Sequence, residues 1–182
     1  MIQLARNHPD KISYGSGGVG STNHLAAELL KSLTKTRILH VPYKGSTIAL
    51  TYMLGGEVDM VIGVASSALP YIKDGRMRAI TVLDTKRVAS MPQVQTSAEA
   101  GMPQLVAVNW YVLLAPAATP RAIVERLNAE AVKIMRMPET RDFFASMGGE
   151  PTSSTVEQSA AFLRQEYERW GKVIRAAGIK AE

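Results

Sequence analysis

Residues 12–30, ISYGSGGVGSTNHLAAELL, decide how this chain begins to fold. A short β-branched and aromatic run opens the stretch, glycines at positions 15, 17, 18 and 20 follow, and an amphipathic helical pattern closes it. Glycine permits close backbone approach, and the first turn of a helix has unpaired N–H groups and about half a positive charge. The stretch therefore predicts a loop that binds an anionic group, in a protein that binds rather than catalyses.

Strand and helix patterns alternate through the first half of the chain. Strands are expected over 12–14, 37–41, 60–64 and 77–83, and helices over 21–34 and 46–54, with a short helix capped by Ser66 or Ser67 and ending at Lys73. This order favours an α/β layer with right-handed crossovers. Ligands of such sheets lie beyond the carboxyl ends of the strands, so the loops 15–20, 42–45 and 63–67 are expected to share one edge.

The last third of the chain changes to helical patterns. An extended apolar segment, LVAVNWYVLL over 105–114, precedes them. Thr119 is expected to cap the first helix, with Pro120 at its first position. A second helix is expected from Pro138 to Gly148-Gly149. Thr155 and Gln158 predict a capping box for the last helix, which runs to about residue 177.

Composition excludes several classes of protein. The net charge of +5 comes from scattered basic residues interleaved with acidic ones, so a nucleic-acid partner is not expected. The absence of cysteine excludes disulfides and thiolate metal sites, and the three histidines are far apart in sequence, so neither a metal site nor a cofactor is expected. No apolar run approaches the ~20 residues of a membrane-spanning helix. The opening residues have no signal-peptide pattern, so no secretion signal is expected in the chain as given.

The glycine loop leaves alternatives open. It contains G-x-G-x-x-G at positions 15, 17 and 20, but no acidic residue ends the next strand to bind a ribose, which disfavours a dinucleotide. The Walker pattern fails because no Gly-Lys-Ser/Thr follows. Ser16 does not lie in G-x-S-x-G, which disfavours a serine hydrolase. A purely structural glycine turn remains an open alternative.

Single residues near these motifs also have two interpretations. His24 would either donate to an anion or bond a neighbour as an ordinary helix residue. Asp59 would pair with Lys44 or His24, or serve as a turn or cap residue before a strand. Trp110 and Tyr111 would stack on a ligand, or pack in a core or hinge.

Several longer segments together indicate a family. They are YGSGGVGSTNHLA over 14–26, HVPYKG over 40–45, GGEVD over 55–59, SALP over 67–70, GRMRA over 75–79, AEAG over 98–101 and LAP over 114–116. In this order they resemble the C-terminal part of the Bug family, the periplasmic solute-binding receptors of tripartite tricarboxylate transporters. The resemblance extends from about residue 4 to the C-terminus.

The resemblance implies a fold of two α/β lobes that close over a ligand, the type II periplasmic-binding fold. Residues 1–106 would be the second, ligand-binding lobe, with a parallel-rich sheet and flanking helices, and residues 107–116 would be the crossover strand or hinge. Residues 117–182 would be C-terminal helices that pack on a first lobe outside this chain. Their apolar faces would then lack cover, and a homo-oligomer is one expected consequence.

The resemblance also implies a function and a set of site residues. Family ligands are small organic acids, such as dicarboxylates, tricarboxylates and acidic amino acids, which a periplasmic receptor delivers to a membrane permease without catalysis. The rival interpretations are a non-binding oligomerising remnant and an enzyme that uses the loop for a phosphorylated substrate. Carried over by position, the binding residues are Ser16, Gly17, Gly18, Gly20, Ser21 and Thr22 in the loop, with Tyr43, Gly63 and Ser66 completing the wall.

Overall fold

A computed structural model describes residues 1–146 and 149–180. The chain forms two compact units. The first comprises residues 1–109 with the chain from 170 onward, and the second comprises residues 110–169.

A three-stranded parallel sheet organises the first unit. Strand β1 (Ser13–Ser16) lies between β2 (Leu39–Pro42) and β3 (Met60–Val61). The helices of this unit alternate with the strands: α1 (Ile2–Asn7), α2 (Thr22–Thr34), α3 (Ser46–Leu54) and α4 (Ala65–Lys73). Parallel neighbours joined by helices are what the alternating pattern predicts, so the α/β class is confirmed.

The core of this unit lies between the sheet and its helices. Ile12 and Tyr14 of the first strand region pack with Ala27 of α2 and Ile38, and Ala5 of α1 closes the cluster. Leu25, Ala26 and Leu30 of α2 are also buried, as its amphipathic pattern predicts. The cluster buries Tyr14, two residues before β1 ends at Ser16 and the glycine loop begins.

Two expected strands are not formed, and β3 is shorter than expected. Over 77–83 only Val82 pairs, in a single parallel bridge to Thr96. The chain over 84–104 folds back and pairs with the backbone of Val82. The N–H of Val82 donates to Gln95 O at 2.9 Å, and the N–H of Ser97 donates to Val82 O at 2.8 Å. Residues 107–116 form no paired strand; Ala107 N–H donates to Leu83 O at 2.8 Å and no ladder follows. An apolar run predicted the first of these strands and the family resemblance implied the second, but a strand also needs a neighbour that offers a continuous row of backbone groups.

Two expected helix caps are also wrong. Helix α4 begins at Ala65 because the extended backbone of Val64 makes that residue the N-cap, ahead of Ser66 and Ser67. The first helix of the second unit, α5 (Arg121–Met135), has Pro120 at the N-cap, so the hydroxyl of Thr119 lies one residue too early.

The remaining helices are α6 (Pro138–Ser146) and α7 (Val156–Ala177). The capping box of α7 is confirmed: Thr155 N–H donates to Gln158 Oε1 at 2.9 Å, and Gln158 N–H donates to Thr155 Oγ1 at 3.1 Å. The expected end of α6 at Gly148 falls outside the described residues. No described residue of α5, α6 or α7 is buried. None of the described helices has the length and apolar character needed to cross a bilayer.

Candidate anion site at the carboxyl edge of the sheet

Three loops meet where the parallel strands end. Because β1, β2 and β3 run in one direction, the loops that follow them lie at one edge, and α2, α3 and α4 begin there. Tyr43 N–H donates to Ser16 O at 3.0 Å, which joins the loop after β2 to the glycine loop. Asn23 Nδ2 donates to Ile62 O at 2.5 Å, which joins the start of α2 to the loop after β3. The expected convergence of the three loops is therefore present.

The glycine loop has a backbone that side chains would disturb. Gly18 has φ of 121°, a conformation that L side chains rarely adopt. A Cβ on Gly17 would lie 3.1 Å from the backbone nitrogen of Ser46, in the first turn of α3. The glycines thus let the loop approach the start of a second helix closely.

The start of α2 offers backbone N–H groups. Its N-cap, Ser21, donates its hydroxyl to Gly18 O at 2.7 Å and accepts from His24 N–H at 3.4 Å. The first N–H groups of a helix have no intrahelical partner, and within the described residues no hydrogen bond takes those of Thr22 and Asn23. Each of the three helix starts at this edge adds about half a positive charge, which favours an anion.

Side-chain charge at this edge is sparse. The loops 17–21, 43–45 and 62–64 contain one ionisable cation, the exposed Lys44, and no carboxylate. An anion here would be recognised mainly by backbone N–H groups and small hydroxyls. Such a set of donors orients an oxyanion without providing a nucleophile or a general base.

Two histidines lie beside the loop, packed ring on ring. His24 and His40 stack with centroids 4.0 Å apart, and the ring of Tyr14 stacks on His40 at 4.8 Å. Gly20 N–H donates to His24 Nδ1 at 3.0 Å, so His24 bonds a neighbour, as one of its two interpretations held. Burial is the largest cause that lowers the pKa of both rings, and the pKa of His40 falls to about 4.

The predicted binding residues occupy different positions at this edge. Gly17, Gly18, Gly20, Ser21 and Thr22 form the loop and the start of α2. Ser16 is 0% exposed, and its hydroxyl bonds His40 Nε2 at 2.7 Å, so it faces the protein interior.

The wall residues lie in the other two loops. The ring of Tyr43 stacks on that of Tyr52 at 4.7 Å. Gly63 is exposed after β3, and Ser66 stands in the first turn of α4. Within the described residues no hydrogen bond links Ser66 to the glycine loop. The structure thus joins Tyr43 to the loop directly, and places Gly63 and Ser66 at its edge.

Asp59 and Trp110 take structural roles, whereas Tyr111 is exposed. Asp59 Oδ2 accepts from the backbone N–H and the hydroxyl of Ser13, both at 2.8 Å, and so ties the start of β1 to that of β3. Trp110 donates its ring N–H to Glu166 at 3.0 Å and packs edge-on against Phe162. Tyr111 is 92% exposed. The contacts of Asp59 favour its role as a structural residue at the start of a strand over a pair with Lys44 or His24, and those of Trp110 favour packing over a ligand.

A separate groove of about 520 Å³ runs along residues 77–80 and 93–95. Arg87 at its edge forms a bidentate pair with Glu99, and the hydrogen bond from Arg87 holds the pKa of that carboxyl down at about 2. The positive charge of Arg87 is therefore already compensated by Glu99. Among the described residues no three His, Asp or Glu side chains form a group that could bind a metal ion.

Sequence reasoning missed His40 and the link made by Asn23. His40 belongs to the site because the register places it opposite Tyr14. A histidine inside an otherwise apolar strand was the available signal. Asn23 was visible only as a small polar residue, since its acceptor lies 39 positions away in the chain.

Comparison with known proteins gives the family. Residues 1–179 match the family described as tripartite tricarboxylate transporter family receptor. Protein BugT of Bordetella pertussis is 32% identical over 99% of this chain and 55% of its own length. The chain spans just over half the length of the first curated relatives it matches.

Two solved structures have the same fold. Rpa4515 of R. palustris, determined with adipate, is 32% identical with a TM-score of 0.84, over 98% of this chain and 60% of that one. MatC (Rpa3494) of Rhodopseudomonas palustris, with bound malate, is 28% identical with a TM-score of 0.79, over 95% and 60%. The match over nearly the whole chain, together with the α/β sheet and its glycine loop, shows that this chain belongs to the receptor family of the tripartite tricarboxylate transporters.

Proposed function

We propose that this chain is the carboxylate-binding part of a periplasmic solute receptor that delivers a small organic acid to a transporter permease. The observation that supports it best is the convergence of a glycine loop and three helix starts at one sheet edge. The neighbours with adipate and malate make a dicarboxylate the first ligand class to test.

The donor set favours binding over catalysis. The hydroxyl of Ser16 is enclosed and shared with His40 and Gly18, so it is not available to attack a substrate. The N–H groups of Thr22 and Asn23 hold an oxyanion without transferring a proton. Because one lobe encloses little ligand surface, we expect weak binding, with dissociation constants of roughly millimolar size.

The test is an amide NMR titration of the chain with adipate and malate, with phosphate and a nucleotide as controls. We expect a dicarboxylate to shift the amides of Thr22 and Asn23, because those N–H groups have no acceptor within the described residues and would meet its oxygens. Shifts produced by phosphate or nucleotide alone would favour an enzyme with a phosphorylated substrate. No shift from any anion would refute the binding role and favour the oligomerising alternative.

A matched pair of variants locates the site. Gly18→Asp places a carboxylate in the loop at a backbone φ of 121°, and we expect it to abolish dicarboxylate binding by charge repulsion. Gly75→Asp adds the same charge at another positive φ, 71°, in the turn after α4. We expect Gly75→Asp to retain binding. Equal affinity in the parent and Gly18→Asp would remove the assigned site.

A further inference from the structure

The stacked pair of His24 and His40 connects two elements to the glycine loop. His40 belongs to β2 and His24 to α2, and their rings are 9° from parallel at 4.0 Å. His24 is 6% exposed. Tyr14 of β1 covers the pair further, at 4.8 Å from His40.

Each ring holds one end of the loop. His24 Nδ1 accepts from Gly20 N–H at 3.0 Å, so Nδ1 is unprotonated and the proton of the neutral ring is on Nε2. His40 Nε2 lies 2.7 Å from Ser16 Oγ, which also accepts from Gly18 N–H at 3.1 Å. The two imidazoles therefore hold Ser16 at the start of the loop and Gly20 at its end. The hydroxyl of Ser16 in turn holds Gly18 in the middle of the loop.

Two side-chain charges near the pair act in opposite directions: Glu28 raises the pKa of both rings and Lys31 lowers it. Glu28 of α2 lies 3.8 Å from His24 Nε2, but it also accepts from Tyr14 at 2.8 Å and from Lys31 at 2.7 Å. Lys31 is a nearby cation that disfavours a second one. Burial, the largest cause, lowers the pKa of both histidines, and in His40 the neighbouring His24 lowers it next. The pair is thus uncharged at neutral pH.

We propose that His24 and His40 are positioning residues of the anion loop, which hold it in shape while both rings are neutral and release it when the pair is protonated. A proton on His24 Nδ1 would turn an acceptor into a donor that faces Gly20 N–H, and would set a cation against the stacked ring. The part of this inference that concerns ligand affinity rests on the proposed function; the part that concerns loop shape does not.

The direction of the pH effect follows from the lowered pKa values. A histidine whose folded pKa lies below its ordinary 6.5 stabilises the folded loop fully above that pH. The contribution is lost as the pH falls from 6.5 towards about 4. Anion affinity should fall over the same range. A histidine that simply attracted the anion would give the opposite result, with affinity rising as its ring gained a proton.

The test follows loop amides and imidazole nitrogens of the full chain by NMR, with adipate as the probe. We expect His24→Leu to shift the Gly20 amide and to weaken adipate binding about tenfold, because the Gly20 N–H loses the acceptor that fixes the end of the loop. His24→Asn, whose side-chain oxygen replaces Nδ1, should restore most of both. His8→Gln removes the third, exposed histidine beyond α1 and should change neither.

The pH titration of the parent chain gives a second measurement, which needs no variant to fold. We expect the Gly20 amide to move with the His24 ring as the pH falls below 6.5, because burial lowers the pKa of that ring. Comparing the adipate affinities of the parent and His24→Asn at each pH removes the effect of the titration of adipate itself. An unmoved Gly20 amide in His24→Leu, or a His24 ring that titrates without it, would overturn the proposal. If adipate fails to bind the parent at every pH, the proposed function falls, and the Gly20 amide still decides the positioning role.

Discussion

The two units of this chain treat the same kind of amphipathic pattern differently. Helix α2 of the first unit buries six of its residues, including Leu25 and Leu30, whereas α5 has the same type of stripe and buries none. Leu127 of α5 is 47% exposed, and Leu105 of the first unit is 1% exposed. Periodicity thus makes a helix, but burial requires a complementary surface, and only the first unit supplies one within the described residues.

This difference has a consequence for function. A loop binds a ligand with a fixed geometry only if a packed scaffold holds its ends. The glycine loop begins at the end of β1, whose Tyr14 is fully buried, and ends at the start of α2, whose inner face is buried. The candidate site therefore belongs to the unit that has its own core.

The largest expected effect separates the two units by stability. Leu105→Ala should lower the free energy of unfolding of the first unit by about 2–5 kcal/mol, because it leaves a cavity. Leu127→Ala, the matched control in α5, should cost no more than about 0.5 kcal/mol at an exposed position. Hydrogen exchange of the α2 and α5 amides measures the opening free energy of each unit separately. Equal costs for the two variants would contradict the comparison.

A smaller effect tests how the second unit's helices are held locally. Thr155→Ala removes the side-chain half of the capping box and should lower the opening free energy of the first turn of α7 by about 1 kcal/mol. Thr119→Ala, beside a cap that uses no side chain, should have little effect. The measurement is hydrogen exchange at Ser159 and Ile123. A similar loss at both helices would show that local capping does not distinguish them.

The smallest effect on folding tests the exposed apolar surface. Leu113 and Leu114 are among the most exposed large apolar residues, in the unpaired segment before α5. Replacing both by Gln should leave unfolding within about 0.5 kcal/mol and weaken self-association at least about tenfold, because less apolar area would be buried between chains. Leu4→Gln, exposed on α1, is the control. Sedimentation velocity over a range of concentrations measures self-association of the parent and each variant. Unchanged association of the double Gln variant would exclude this segment from any interface.

The sequence predicted the elements that local chemistry specifies. The helix expected over 21–34, the helix over 46–54 and the Thr155–Gln158 box depend on residues within a few turns of each other, and all are present. The strand expected over 77–83 failed because pairing is not local: residues 95–97 took the hydrogen bonds of Val82.

The features of the candidate site also separate into those that local sequence specifies and those that depend on long-range contacts. Glycine spacing by itself predicted a glycine loop before α2, because positive φ and close backbone approach depend on the absence of a side chain at single positions. Tertiary structure alone decided that Ser16 turns inward to His40, that His24 holds Gly20, and that Asn23 reaches Ile62. His40 and Ile62 lie 24 and 39 positions from their partners, and such contacts depend on sheet register and helix packing, which arise only when the distant segments fold together.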